Sequence, residues 1–193
     1  DPPQEEVHCA IFSPDGKRII TAHWGASLSD ADNGKLVYSL EGQLAGVVQT
    51  VSYNTDGKTI VTTSYDETVI IWNAQSGKLI HSLGGQNPAS FSPNGKNLIT
   101  GFSNKTANIW NVKKGKELFS LGAHASQPSI AIYSPDGSRI VTASDGDPVA
   151  KVWDGQTGKL IHNLEGYSRG ITHASFDLNG RRVALASQDH TAK

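Results

Sequence analysis

The tetrapeptide Ser13-Pro14-Asp15-Gly16 returns in altered form as Asn54-Thr55-Asp56-Gly57, Ser92-Pro93-Asn94-Gly95, Ser134-Pro135-Asp136-Gly137 and Asp177-Leu178-Asn179-Gly180. The closing glycines are 41, 38, 42 and 43 residues apart. A second turn keeps step with the first. It reads Asn33-Gly34-Lys35, Ser76-Gly77-Lys78, Lys114-Gly115-Lys116 and Thr157-Gly158-Lys159, with glycine spacings of 43, 38 and 43. Two unrelated turn motifs in register define a repeat of about 41 residues. A unit of that size cannot bury both of its faces alone, so neighbouring units must cover it and the array is expected to behave as one body.

Each turn has a physical basis. Proline presets φ at the second turn position, and Asp-Gly or Asn-Gly accepts the positive φ of a tight hairpin. Apolar, β-branched runs flank the turns: Ala10-Ile11-Phe12 with Arg18-Ile19-Ile20-Thr21, Thr50-Val51-Ser52-Tyr53 with Thr59-Ile60-Val61-Thr62, and Ile130-Ala131-Ile132-Tyr133 with Arg139-Ile140-Val141-Thr142. These read as strand pairs. A third strand ends in Trp72-Asn73, Trp110-Asn111 or Trp153-Asp154, and a fourth follows the Gly-Lys turn as Leu36–Leu40, Leu79–Leu83, Leu118–Leu121 or Leu160–Leu164. No segment keeps an apolar period near 3.6 for long enough to be a helix. Four antiparallel strands per period of this length match one propeller blade, so the expected class is all-β.

Against this repeat the composition matters mainly for what it excludes. No run approaches the roughly 18 consecutive apolar residues of a membrane-spanning helix. The net charge of −1 supplies no general basic field for nucleic acid, and the short pairs Lys113-Lys114 and Arg181-Arg182 read as solvated turn ends. The single cysteine, Cys9, excludes an intrachain disulfide and fits a reducing compartment, the cytoplasm or with it the nucleus. The chain has no methionine and begins Asp1-Pro2-Pro3. It therefore reads as a fragment, a processed product or an internal domain.

Through Ile71-Trp72-Asn73, Ile109-Trp110-Asn111 and Val152-Trp153-Asp154, each followed by a Gly-Lys turn, the sequence resembles the WD-repeat family over about residues 7 to 193. The resemblance implies a β-propeller of blades with strands a to d from inside to outside. The units fall at about 7–46, 47–86, 87–124, 125–167 and 168–193, four blades and the inner half of a fifth. A seven-bladed member needs roughly 290 residues, so an incomplete propeller is expected. Such an open array exposes strand edges and leans on a partner or on further blades or domains of the same chain.

The resemblance also implies a hydrogen-bonded tetrad within a blade, formed by His before strand a, Ser on strand b, Asp in the b–c turn and Trp on strand c. One unit carries the whole set as His124, Ser144, Asp147 and Trp153. The second offers Ser64, Asp66 and Trp72 with Gln43 in the histidine position. The third has Gln86, Phe102 and Asn104 in place of three members and retains Trp110. The first has Ser29 where the Trp belongs. In the third unit only 10 residues separate Gly85 from Gly95, against 15 from Gly42 to Gly57, so strand a there is expected to be very short.

No constellation for catalysis emerges. His81 and His162 share a repeat position with Tyr38 and Phe119, which marks a packing slot. His8 and Cys9 are adjacent and point to opposite faces of a strand, and His190 lacks a second ligand at zinc-like spacing. No phosphate-binding loop, nucleophile elbow or HExxH sequence is present, and the turn aspartates lie on separate blades, too far apart to pair. No catalytic residue, metal or cofactor is assigned. The d–a and b–c loops carry the departures from the repeat: Trp24, Tyr65, Tyr167, Arg169 and His190, with Gln43 and Gln86. Trp, Tyr and Arg anchor protein interfaces. The reading is a non-catalytic scaffold for partner proteins or peptides, with no nucleic acid or membrane partner. Its rival is the propeller of a secreted, periplasmic or hydrolase-linked protein, whose units also carry SPDGK-like turns.

Overall fold

The computed structural model describes residues 7–40, 47–101 and 104–193. Among them are eighteen strands and no helix. Strands β1 (Cys9–Phe12), β2 (Arg18–Ala22), β3 (Ala26–Asp30) and β4 (Leu36–Leu40) form one antiparallel sheet in chain order. The second sheet holds β5 (Val48–Tyr53), β6 (Thr59–Ser64), β7 (Thr68–Asn73) and β8 (Leu79–Gly84). The third holds β9 (Gln86–Phe91), β10 (Asn97–Gly101), β11 (Ala107–Asn111) and β12 (Lys116–Leu121). The fourth holds β13 (Ile130–Tyr133), β14 (Arg139–Ser144), β15 (Asp147–Asp154) and β16 (Leu160–Leu164), and a two-stranded sheet pairs β17 (Ile171–Phe176) with β18 (Val183–Ser187). Four four-stranded antiparallel sheets in chain order, followed by a two-stranded one, are the pattern of β-propeller blades.

The turns close as their residues dictate. Ser13 Oγ accepts the Arg18 amide at 2.9 Å and donates to Asp15 Oδ1 at 2.6 Å, while Gly16, at φ 72°, returns its amide to the Ser13 carbonyl at 2.9 Å. The Ser13 hydroxyl, with the Lys17 amide, holds the Asp15 carboxyl below its usual range. Ser134 and Asp136 repeat the arrangement, and there the carboxyl is held down to about 2, chiefly by the Ser134 hydroxyl. In the c–d turn, Asn73 Oδ1 accepts the amides of Gln75 and Ser76 at 3.0 and 2.9 Å. The same side-chain-to-backbone bonding recurs at Asp154.

The chain divides into two compact units, Asp1–Asn87 and Pro88–Lys193. In the first, Ile20, Leu28, Val48, Ile60, Ile70 and Trp72 form the core between the two sheets. A fully buried aliphatic side chain of this kind contributes about 1.5–3 kcal/mol. Tyr38 of β4 donates its hydroxyl to the Ala74 carbonyl at 2.5 Å, and its ring lies over Gly77, where a Cβ would come within 2.7 Å of it. In the second unit, Ile99, Ile109, Leu121, Ile140 and Trp153 form one cluster, and Val141, Ala150, Val152, Ile171 and Leu185 form another. Phe119 lies over Gly158 as Tyr38 lies over Gly77. At Tyr38 and Phe119 this slot is thus a place where the outer strand of one sheet meets the next turn. His162 itself is exposed.

One expectation is overturned. Strand a of the third unit is not shortened, because β9 has six residues. The missing length comes from the connection before it. β8 ends at Gly84 and β9 begins at Gln86, so only Gly85 lies between them, and its φ of 128° lies outside the usual range for other residues. Gln86, expected in a loop, is the first residue of that strand.

Candidate functional site

The most developed polar constellation lies inside the second unit. Trp153 Nε1 donates to Thr142 Oγ1 at 2.7 Å, Thr142 Oγ1 lies 2.6 Å from His124 Nε2, and His124 Nδ1 lies 3.1 Å from Asp147 Oδ2. A carboxylate only accepts, so Nδ1 carries the histidine proton and Nε2 accepts the Thr142 hydroxyl. The chain of donors runs from Trp153 through Thr142 and His124 to Asp147. Burial, joined by the nearby Lys151 charge, pushes the His124 imidazole below its usual pKa, against the pull of Asp147. Burial alone would raise the Asp147 carboxyl. The Ala125 and Val149 amides, with His124, outweigh that and hold it below its usual range.

Thr, His and Asp in series have the connectivity of a hydrolytic triad. The surroundings forbid that use. Thr142 is 0 % exposed and His124 and Asp147 are each 4 % exposed, and the Thr142 oxygen already accepts the Trp153 indole. This network positions strands.

Its hydroxyl comes from Thr142 and not from the serine that the resemblance implies. Ser144, assigned from the resemblance, bonds instead to Ser126 Oγ and accepts the Gly146 amide. It lies two residues beyond Thr142 on the strand, roughly 6.8 Å further along, out of reach of the indole. The same correction applies in the other sheets. Trp72 donates to Thr62 and Trp110 to Thr100, each at 2.9 Å, while Ser64 donates to the Val47 carbonyl at 3.1 Å. Asp66 serves its own turn, accepting both the amide and hydroxyl of Thr68 at 3.0 and 2.5 Å. A signal was available, since Thr21, Thr62, Thr100 and Thr142 all follow two aliphatic residues in strand b.

The residues expected to bind partners separate into groups. In the first unit, Trp24 (67 % exposed) and Tyr65 (68 % exposed) occupy successive b–c turns. The turn beneath Trp24 is tied by His23, whose amide donates to Gly25 O at 2.8 Å and whose Nδ1 accepts the Gly25 amide at 3.2 Å. With Nδ1 accepting, Nε2 carries the proton and donates to Ser27 Oγ at 3.0 Å. One strand entry joins the two turns: Val48 N donates to His23 O at 3.0 Å and Tyr65 N donates to Val47 O at 3.3 Å. Gln43 lies outside the described residues.

In the second unit, Arg169 and His190 are exposed at adjacent loops. Ser168 N donates to Asp189 Oδ2 at 2.9 Å, and Ser187 Oγ donates to the Arg169 carbonyl at 3.0 Å. His190 has φ 68°, as do the corresponding Glu67 (63°) and Lys105 (69°), each between an Asp or Asn and a Thr. Tyr167 differs from the others. Its side chain is partly buried against the core cluster that includes Val141, Ile171 and Leu185, and its ring carries the Lys193 ammonium 4.9 Å from its centroid.

Among the described residues no three His, Cys, Asp or Glu side chains converge as a metal site, and no helix is long and apolar enough to cross a membrane. At the other end of the first unit's sheets a groove of about 540 Å³ runs past Pro14, Arg18, Tyr53, Asp56, Lys58 and Ala74.

Sheets of four strands, three of them with a tryptophan tied to a strand-b threonine and two with an exposed aromatic raised on the b–c turn, define a repeat-built protein of the propeller class. The chain belongs to the WD domain, G-beta repeat family, whose model matches residues 34–73, 77–111, 115–154 and 158–193. It is similar to autophagy-related protein 16 of Arabidopsis thaliana, 26 % identical over 169 residues that cover 83 % of this chain and 32 % of that protein. The chain spans about a third of the length of that relative.

Proposed function

We propose that the chain is a non-catalytic scaffold that binds partner proteins or peptides through the b–c and d–a loops of its blades. The observation that carries this reading is the pair Trp24 and Tyr65, each about two-thirds exposed on a turn whose backbone is pinned. Large rigid aromatics held in fixed positions gain contact area at low entropic cost, which suits an interface anchor. Arg169 and His190 extend the candidate surface in the second unit. Similarity to an autophagy-related protein makes that process the first place to seek the partner, in a reducing compartment such as the cytoplasm. Replacing Trp24, Tyr65 and Arg169 together by alanine is expected to abolish partner capture while the β-rich circular dichroism is unchanged. Capture that survives the triple change refutes the surface assignment.

A further inference from the structure

The lysines and arginines of the first unit are gathered at one end. Its five basic residues, Lys17, Arg18, Lys35, Lys58 and Lys78, all lie in or beside the a–b and c–d turns. The opposite end, where Trp24 and Tyr65 stand, carries Asp66 and Glu67 and no lysine or arginine among the described residues. Asp66 is committed to Thr68. Glu67 is exposed, and only its backbone is engaged, its carbonyl accepting the Gly85 amide at 3.0 Å. Its φ of 63° is fixed by the Asp66–Thr68 turn, so the side chain is held in the same loop as Tyr65. Two exposed aromatic faces and a free carboxylate, with no cation of their own to satisfy them, complement a positively charged group.

We propose that this end of the first unit binds a basic segment of a partner protein, a lysine or arginine side chain seating against Trp24 and Tyr65 with Glu67 as its counter-charge. This rests on the reading of the loop-bearing end as the partner-binding one and specifies its chemistry. An indole is the strongest cation–π partner among the side chains, and a guanidinium stacks on it while leaving its edge free for a carboxylate. At the far end the five cations stand among Asp15, Asp30, Asp32 and Asp56, and Arg18 is ion-paired with Asp30, so that rim is close to neutral and Glu67 is the carboxylate left to a basic ligand.

The test uses the whole chain and a short peptide of alternating arginine and glycine, titrated by calorimetry and by the fluorescence of the exposed Trp24. Saturable binding is expected. Trp24→Ala should weaken it about five-fold or more, and Glu67→Gln about three-fold with a shallower salt dependence. A peptide with glutamate in place of arginine should not bind, and Lys58→Ala at the far end should cause no loss. Binding of the basic peptide that is indifferent to both Trp24→Ala and Glu67→Gln, or no binding at all, overturns the assignment. If a captured protein partner needs Trp24 and Tyr65 but is neither displaced by the basic peptide nor weakened by Glu67→Gln, the basic ligand is wrong and the scaffold reading stands. If partner and peptide both ignore the two aromatics, both readings fall.

Discussion

Thr142 Oγ1 accepts the Trp153 indole at 2.7 Å and sits 2.6 Å from His124 Nε2, so one hydroxyl joins strand c to the segment ahead of strand a. Both neighbours are buried. Thr142→Val keeps the shape and removes the hydroxyl, stranding an N–H and a ring nitrogen. The expected cost is about 2–4 kcal/mol. Thr62→Val strands only the Trp72 indole and is expected to cost about 1–2 kcal/mol. Denaturant melts of both variants check the order, and equal losses would deny the network its extra member.

The same network predicts a pH dependence. Burial lowers the His124 pKa from its ordinary 6.5, so the unfolded chain binds this proton more readily than the folded one. Stability from the neutral imidazole is therefore fully present above about pH 6.5 and is lost as pH falls through the folded value. Asp147, whose pKa is also lowered, acts in the same sense but only below its ordinary 3.8. Denaturant midpoints should fall between about pH 7 and about pH 5, and His124→Gln should flatten that slope. A wild-type midpoint that rises on acidification over this range would contradict the neutral assignment.

How far the sequence could be read depends on the range of the interaction. Turn chemistry is local: Ser13, Asp15 and Gly16 bond to one another and to Arg18 only a few residues away, so the spacing of the turns located nearly every strand. The choice between Thr142 and Ser144 is not local. Both point to the same face of β14, and only their distance from an indole on the neighbouring strand separates them. Likewise, ten residues between Gly85 and Gly95 fit a short strand or a short connection equally well. Backbone pairing favoured the strand, because an unpaired inner edge would leave amides and carbonyls unsatisfied. Tyr167 looked like Trp24 as a letter in a loop, yet its ring is spent on the core and on Lys193.

Gly170 has no room for a side chain. A Cβ built there would overlap the carbonyl of Asp145, a backbone atom that cannot swing aside. The residue also anchors the loop, its carbonyl accepting the Gln188 amide and the Ser187 hydroxyl at 3.0 and 3.1 Å. Gly170→Ala should destabilise the chain by about 3 kcal/mol. Gly25→Ala is the control, since its nearest contact, His23 Cε1, lies at an ordinary 3.7 Å, and its change should stay within about 0.5 kcal/mol. Equal thermal shifts for the two would refute the steric argument.

Tyr38 and Tyr133 make opposite predictions for the same chemical change. The Tyr38 hydroxyl donates to Ala74 O at 2.5 Å, binding the outer strand of one sheet to the c–d turn of the next. The Tyr133 hydroxyl is buried with no hydrogen-bond partner among the described residues, and burial pushes its pKa well above the ordinary phenol range. An unpaired buried hydroxyl costs free energy that a phenyl ring of the same shape does not. Tyr38→Phe should therefore lose about 1 kcal/mol, and Tyr133→Phe should be neutral or gain about 1 kcal/mol. Phe119 already occupies the position equivalent to Tyr38 in the second unit, so the phenyl ring itself fits that slot and a loss at Tyr38→Phe reports the hydrogen bond alone. Measured unfolding free energies that fall equally in both variants would show that Tyr133 has a partner after all.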